Sequence, residues 1–315
     1  MRIGLMIGPE RARYRTKVER LLSDARWAEE GGLATVWIPQ IPDEFDALTA
    51  AALVGAETTR IEIGTAVVPV QPRHPIALAQ QALSVQAVCE GRLRLGLGVS
   101  HHWIIDEMLG LPYERPVLTL RAYLDVLDQA FRGPGSVEVE NELFRVRNPL
   151  DVTDVAPTPV LIAALGPLML RLAGERADGT ILWMADERAI ASHVIPHLTG
   201  AASAAGRPAP RVVAGIPVCL CSDREVDVAA ARANRILAEA EMSPNYQHLL
   251  DHGDARNVGD ILAAGSESTI EKRLRGFADA GVTDVSVRVL PVGENREELI
   301  ASLERTRQFI SSLAR

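Results

Sequence analysis

The chain has 315 residues, of which 47% are hydrophobic, and its formal net charge is −8 at pH 7. The negative charge leaves no overall surplus of cations to neutralise phosphates, which argues against nucleic acid as a partner. No apolar run approaches the roughly 20 residues that span a bilayer, and no signal-peptide pattern is present, so we expect a soluble, cytoplasmic protein.

Short apolar runs suited to strands that are buried on both faces recur along the chain. These predicted strands are Ile3–Ile7, Thr35–Pro39, Ile61–Val68, Leu93–Val99, Val160–Ala164, Thr180–Met184, Val212–Leu220 and Asp284–Leu290. Helical patterns lie between most of them, including Lys17–Gly31, Ile76–Cys89, Thr119–Phe131 and Thr269–Ala280. The alternation predicts an α/β fold, a closed (β/α)8 TIM barrel that occupies residues 1–315 as one domain.

An open, doubly wound sheet is the main alternative to a barrel. A GxGxxG motif after the first strand would favour it, but the residues there are Gly8-Pro9-Glu10. Two stretches break the alternation, Gly133–Asp154 and Arg224–Gly265, and we expect both to be insertions in loops or crossovers. In the first of them, alternating apolar residues on either side of Asn141 predict a β-hairpin.

The three cysteines are Cys89, Cys219 and Cys221. An odd number without framework spacing argues against a disulfide scaffold and favours a reducing compartment. No further ligands stand at the spacing of a metal site. We therefore expect the cysteines to pack in the core, and we expect no metal.

The active site of a TIM barrel lies at the C-terminal ends of its strands. Ala66 and Val67 end the third predicted strand, where small residues either admit a flat ligand or fill the barrel. The fourth strand ends in Gly98-Val99-Ser100-His101. His101 is the candidate general acid or base, because the pKa of histidine lies near neutrality; a solvent-exposed or helix-capping histidine is the alternative.

The fifth predicted strand runs into Leu165-Gly166-Pro167-Leu168-Met169, which opens a helix. The first N–H groups of this helix would bind a phosphate, or the segment forms only a tight turn. Trp183 and Met184 follow the sixth strand and form either an apolar wall for a ring system or part of the core. No HExxH, GxSxG, P-loop or CxxC pattern occurs, so metalloprotease, esterase and P-loop functions lack support.

These strand ends, in this order, resemble the luciferase-like monooxygenase superfamily, in particular its branch of coenzyme F420-dependent oxidoreductases from actinobacteria. The resemblance spans nearly the whole chain and implies a TIM barrel of the bacterial-luciferase type. The matching segments are Ala28–Gly31, Val36–Pro39, Ile63–Val67, Arg73–Pro75, Gly91–Gly98, Ala163–Pro167 and Ala173–Gly179.

The resemblance implies that F420, or FMN as the alternative, binds at the C-terminal face of the barrel. It also implies a non-prolyl cis peptide bond between Ala66 and Val67, under the central ring of the cofactor. The cofactor-binding residues that it implies are Gln40, Ala66, Val67, Gly98, Val99, Ser100, Leu165, Gly166, Pro167, Leu168 and Met169.

One position departs from the sugar-phosphate dehydrogenases of this superfamily, which carry an Asp-His pair near the end of the second strand. This chain has Gln40 there, and glutamine cannot act as a base at neutral pH. We therefore expect hydride transfer between reduced F420 and a C=C, C=N or C=O bond, with His101 or solvent supplying the proton. An FMN-dependent monooxygenase and a non-catalytic flavin- or deazaflavin-binding protein are the alternatives.

Barrels of this superfamily commonly pair through their early helices. The apolar stretches Ala50–Val54 and Ile76–Leu83 would suit such an interface, although packing on the chain's own barrel explains them equally well. We expect a homodimer with a small-molecule substrate, and neither nucleic acid nor membrane as a partner.

Overall fold

A closed ring of parallel strands forms the centre of the computed structural model, which describes residues 1–8, 16–152, 154–237 and 244–314. Within these ranges, each of the eight barrel strands pairs in parallel with both neighbours, and the last pairs with the first. The predicted (β/α)8 barrel is therefore confirmed. The strands are β1 (Arg2–Met6), β2 (Thr35–Ile38), β3 (Glu62–Thr65), β4 (Leu93–Gly98), β5 (Val160–Ala163), β6 (Gly179–Trp183), β7 (Arg211–Leu220) and β8 (Asp284–Val289).

Helices follow the strands along the chain. They are α1 (Lys17–Glu30), α2 (Ala47–Glu57), α3 (Pro75–Val88), α4 (Pro116–Ala130), α5 (Pro167–Arg176), α6 (Glu187–Ala189), α7 (Ile195–Ala204), α8 (Val226–Leu237), α9 (Pro244–Asp251), α10 (Val258–Ile261), α11 (Glu267–Asp279) and α12 (Arg296–Leu313). Single π-helical turns span Ile104–Met108 and Ile190–Val194, and a 3-10 turn spans Asp223–Glu225. None of the described helices is both long enough and apolar enough to cross a membrane.

Proline and short polar residues set where several helices begin. A proline occupies the first position of α3, α4 and α5, where its missing N–H costs no intrahelical bond. Asp46, Ser266 and Asn295 accept hydrogen bonds from backbone N–H groups in the first turns of α2, α11 and α12.

The first irregular stretch contains the predicted hairpin. Gly135–Glu140 pairs in antiparallel fashion with Arg145–Leu150. The Asn141 side chain closes the turn by accepting hydrogen bonds from the N–H groups of Leu143 and Phe144. Thr153, just before the end of this stretch, lies outside the described residues.

The second irregular stretch, residues 224–265, forms α8, α9, α10 and a short strand, Ala263–Gly265, that pairs with β7. Residues 238–243 of this stretch lie outside the described residues. The same holds for residues 9–15, which include the Pro9 and Glu10 that follow the first strand in the sequence. That both stretches are insertions stays a prediction.

The prediction of one continuous third strand over Ile61–Val68 was wrong. The structure has β3 at Glu62–Thr65 and a separate two-residue strand, Val68–Pro69, that pairs with β4. The two parts flank a cis peptide bond between Ala66 and Val67. Apolar composition alone does not distinguish an interrupted strand from a continuous one.

The interior of the barrel pairs large side chains with glycines. Trp37 on β2 is fully buried and faces Gly64 on β3, where an added Cβ would lie 2.2 Å from the indole ring. On β7, a Cβ at Gly215 would lie 2.4 Å from the ring of Trp183. Glycine at these two positions thus leaves room for the two indole rings inside the barrel.

The cysteines are free and buried, so the prediction of core packing is confirmed. Burial raises the pKa of the Cys89 thiol to about 11 and that of Cys219 to about 12, which keeps both protonated at neutral pH. Among the residues that the structure describes, no group of three or more His, Cys, Asp and Glu side chains could hold a metal ion.

The early helices bury much of their apolar surface in the chain's own core. In the stretch Ala50–Val54, Ala50, Ala51 and Val54 are buried, whereas Leu53 is 41% exposed. Most apolar residues of Ile76–Leu83 are likewise buried against the barrel. Intramolecular packing therefore explains most of both stretches, and the homodimer stays a prediction.

An ion-pair network closes the N-terminal end of the barrel. Glu62 at the start of β3 contacts Arg2 and Arg94, each at 2.6 Å, and Arg211 at 3.0 Å. Arg211, at the start of β7, also pairs with Asp284 on β8 at 2.6 Å. Burial alone would raise the pKa of Glu62, but the hydrogen bond from Arg2 and the charges of Arg211 and Arg94 hold it below its usual range. The network thus joins strands from opposite sides of the ring.

We predict that Asp284→Ala lowers the free energy of unfolding by about 3 kcal/mol, because it removes one partner of a buried ion pair. Asp284 is 2% exposed, and Arg211 would keep Glu62 as an ionic partner and Thr35 as a hydrogen-bond acceptor. Asp254→Ala is the matched control, since the Asp254 pair with Arg188 is exposed and its loss should cost less than about 1 kcal/mol. Urea denaturation measures both, and equal small losses would contradict a stabilising role for the network.

Candidate functional site

A cavity of about 1200 Å³ opens at the C-terminal face of the barrel. Every barrel strand, or the loop directly after it, contributes residues to the lining. The volume exceeds the roughly 300–1,000 Å³ of ordinary small-molecule pockets. A cofactor and a second small molecule would therefore fit in it together.

All predicted site residues except Gly98 line this cavity. Gly98 lies behind the wall, where an added Cβ would be 2.7 Å from Cγ2 of Val67 and 3.2 Å from Cβ of Ala163. Its role is to leave room for Val67, so its prediction as a direct contact is not supported. The predicted residues in the lining are Gln40, Ala66, Val67, Val99, Ser100, His101, Leu165, Gly166, Pro167, Leu168 and Met169.

Ala66 and Val67 form an apolar floor of the cavity. The peptide bond between them is cis, as the family resemblance implies. Both side chains are half-buried, since they pack on the inner barrel layer on one side and line the cavity on the other. That inner layer comprises Trp37, Leu161, Ile181 and Val213. The two residues thus fill the barrel and also present a surface to a ligand.

Gln40 has a defined amide orientation at the rim. Its Oε1 accepts a hydrogen bond from the N–H of Ala47 at 2.9 Å, at the start of α2. Because a backbone N–H can only donate, this bond distinguishes the amide oxygen from the nitrogen. The NH2 group of Gln40 is therefore the part of the side chain that could donate to a ligand.

The N-terminus of α5 presents backbone donors to the cavity. Gly166 has no side chain to cap the helix, and Pro167 has no N–H, which leaves the N–H groups of Leu168 and Met169 without intrahelical partners. A Cβ added at Gly166 would meet no atom within 4 Å, so the space in front of these amides is open. The positive end of the helix dipole also favours an anion here.

His193 fixes the loop that precedes α5. Its Nε2 lies 2.8 Å from the carbonyl oxygen of Leu165, and its ring stacks on His252 at 4.1 Å between centroids. Burial lowers the pKa of His193, although the Leu165 contact works in the opposite direction. The ring is therefore neutral at pH 7, with its proton on Nε2 because a carbonyl can only accept. Nothing in the local sequence points to this contact.

His101 lies in an aromatic part of the cavity. Its ring is half-buried, with the ring of Trp103 at 5.8 Å and that of Tyr246 at 5.7 Å between centroids. Burial lowers the pKa of His101 below the ordinary value of 6.5. This placement favours a cavity residue over a solvent-exposed histidine, and the imidazole is mainly neutral at pH 7.

Several residues of the lining were not predicted from the sequence. Tyr246 on α9 reaches the cavity from within the irregular stretch 224–265, and burial raises its pKa, so its phenol stays protonated. Tyr113 donates to the carbonyl oxygen of Ser100 at 3.2 Å. For Trp183 and Met184 the sequence left open a place in the cavity wall or in the core. Trp183 lines the cavity, whereas Met184 is buried in the core.

The chain matches the family model described as luciferase-like monooxygenase over residues 1–284. It is 24% identical to 5,10-methylenetetrahydromethanopterin reductase of Methanolobus tindarius, over 88% of this chain and 91% of the relative. The structure of the coenzyme F420-dependent tetrahydromethanopterin reductase of Methanopyrus kandleri is similar, with a TM-score of 0.75 at 19% identity over 98% of this chain and 97% of that one.

A second solved structure with the same fold is the oxygenating constituent of 3,6-diketocamphane monooxygenase from Pseudomonas putida, in complex with FMN. Its TM-score is 0.76 at 18% identity, over 99% of this chain and 96% of that one. At these identities the two structures show the fold alone. Since the family model covers most of the sequence, this chain belongs to the luciferase-like monooxygenase family.

Proposed function

We propose that this chain is an F420-dependent oxidoreductase, which transfers a hydride between reduced F420 and a C=C, C=N or C=O bond of a small organic substrate. The observation that carries the proposal is the order of surfaces around the cavity rim. An apolar floor follows β3, a turn with Val99 and Ser100 follows β4, and free backbone donors follow β5. These three features lie on neighbouring strands.

The residues fit a deazaflavin in this order. A flat ring needs the apolar floor at Ala66 and Val67, and a phosphate needs the donors of Leu168 and Met169. The chain linking ring and phosphate would pass Val99 and Ser100, because β4 lies between β3 and β5. FMN also has a flat ring, a linking chain and a phosphate in this order. The geometry therefore supports a flavin-type cofactor but does not distinguish F420 from FMN.

The relatives support F420 over FMN. The methylenetetrahydromethanopterin reductase is related over most of both chains, and the similar structure from Methanopyrus kandleri is named as F420-dependent. The FMN-containing monooxygenase shares the fold at 18% identity. An FMN-dependent monooxygenase is the second candidate, and a non-catalytic cofactor-binding protein is the third.

When bound, reduced F420 supplies the hydride. The chain's own residues hold the reactants, because the floor fixes the plane of a ring and the α5 amides fix its anionic end. Trp103, Trp183 and Tyr246 add aromatic surface to the cavity lining, which would limit the access of water to a bound substrate. His101 would donate a proton to the reduced substrate in its protonated form, which is a minority at pH 7 because burial lowers its pKa.

We predict that Gly166→Glu weakens F420 binding at least about tenfold, because it places a carboxylate beside the phosphate site. Gly166→Ala is the matched control, since its Cβ meets no atom within 4 Å and binding should change by less than about threefold. Fluorescence titration of F420 measures both affinities. Unchanged F420 affinity in the glutamate variant would show that the phosphate does not bind at the N-terminus of α5.

We predict that the purified chain oxidises reduced F420 in the presence of some member of a panel of enones, imines and quinones. The rate should fall as pH rises through the lowered pKa of His101, below pH 6.5, because only protonated histidine donates. His101→Gln should abolish this pH dependence, and an identical profile in the variant would assign the proton to solvent. Oxygenated products from reduced FMN and oxygen would instead establish a monooxygenase, and F420 binding without turnover on the panel would establish a binding protein.

A further inference from the structure

One side of the cavity is lined by arginines. Arg232 and Arg235 lie on α8, which follows β7, whereas Arg288 lies on β8 and Arg296 begins α12. We call these four residues the arginine wall. They come from three separate elements that meet only because the barrel closes.

None of the described acidic residues in the cavity lining pairs with Arg232, Arg235 or Arg296. Asp24 pairs with Arg307 at 2.8 Å, and Glu44 pairs with Lys17. Asp43, the remaining acid in the lining, also acts on Lys17, whose pKa is lowered mainly by burial and raised in part by that carboxylate. The cavity acids are thus engaged with cations outside the wall.

Three members of the wall lack ionic partners among the residues that the structure describes. Arg232, Arg235 and Arg296 form no ion pair within residues 1–8, 16–152, 154–237 and 244–314. The Nε of Arg232 is also buried and makes no hydrogen bond to a described residue. This one buried N–H of Arg232 is left without an acceptor, which a bound anion would supply, whereas Arg235 and Arg296 are exposed to solvent.

The wall lies away from the part of the rim that the cofactor would occupy. The floor, the Val99–Ser100 turn and the α5 amides follow β3, β4 and β5. β8 is three strands beyond β5 and adjacent to β1, which stands opposite β5 in the ring. The side of the cavity next to β8 would therefore be left for a second molecule.

We propose that the substrate carries a carboxylate or phosphate group, which the arginine wall binds. Guanidinium groups bind both anions through paired N–H donors, and Arg232 and Arg235 share one face of α8 at a spacing of three residues. An anion held there would direct the unsaturated part of the substrate toward the floor at Ala66 and Val67. The inference rests on the proposed function, because it leaves the other half of the cavity to F420.

The alternative occupant of the wall is the cofactor itself, since TIM barrels often bind phosphate after the seventh and eighth strands. The double variant Arg232→Gln/Arg235→Gln separates the two occupants. Arg275→Gln is the matched control, because Arg275 is exposed on α11 and its loss also removes positive charge. F420 affinity and anion affinity are measured separately for each protein.

The anion probes are inorganic phosphate and succinate, titrated by calorimetry into the protein with and without saturating F420. We expect saturable binding of at least one probe to the wild type, weakened at least about tenfold in the double variant and retained in Arg275→Gln. F420 affinity should change by less than about twofold in both. The stronger probe indicates whether the substrate anion is a phosphate or a carboxylate.

A loss of F420 affinity in the double variant would overturn the proposal, because the wall would then hold the cofactor's own anion. Absence of saturable anion binding to the wild type would also overturn it. Anion binding that depends on the wall, in a protein that does not bind F420, would sink the proposed function and leave the wall as an anion site.

Discussion

Closure of the parallel ring is the constraint on which the rest of the structure depends. Hydrogen bonds between β8 and β1, with Arg2 opposite Asp284, complete the circle. Because all barrel strands run in one direction, their C-terminal ends meet at one rim. Gln40, His101 and Tyr246, which are far apart in sequence, therefore line one cavity.

The N-terminal end of the barrel carries a stabilising ion-pair network, whereas the C-terminal end carries the candidate functional site. At the N-terminal end, Glu62 and Asp284 satisfy the guanidinium groups around them, so charges there are paired. At the C-terminal end, the amides of α5 and the side chain of Arg232 keep donors without partners among the described residues. Because ion pairs stabilise the N-terminal end, the barrel can keep hydrogen-bond donors without acceptors at the C-terminal end, where a ligand would accept from them.

The electrostatics of the rim suggest two anionic groups with an apolar space between them. The α5 side attracts an anion through backbone dipoles, and the neutral His193 beside it adds no charge. The opposite side attracts one through the arginine wall. Between them lie the floor at Ala66 and Val67 and the mainly neutral His101, which suit a neutral ring and an uncharged reacting bond.

The barrel could be predicted from the sequence because its strands are buried on both faces and read as uninterrupted apolar runs. The turn at Gly166 and Pro167 could be predicted for a local reason, since proline at the first helical position marks a helix start. Tyr246 and His193 could not, because each reaches the site through tertiary contacts. The place of Arg232 and Arg235 at the cavity could not be predicted either, since a helical arginine that faces a cavity has the same local sequence as one that faces water.

The position of the cofactor's phosphorus in a crystal structure of the chain with F420 tests the central claim most directly. The account predicts phosphate density within hydrogen-bonding distance of the Leu168 and Met169 amides, with the ring on Ala66 and Val67. Phosphate density among Arg232, Arg288 and Arg296 would contradict it, because cofactor and substrate would then have exchanged sides of the cavity.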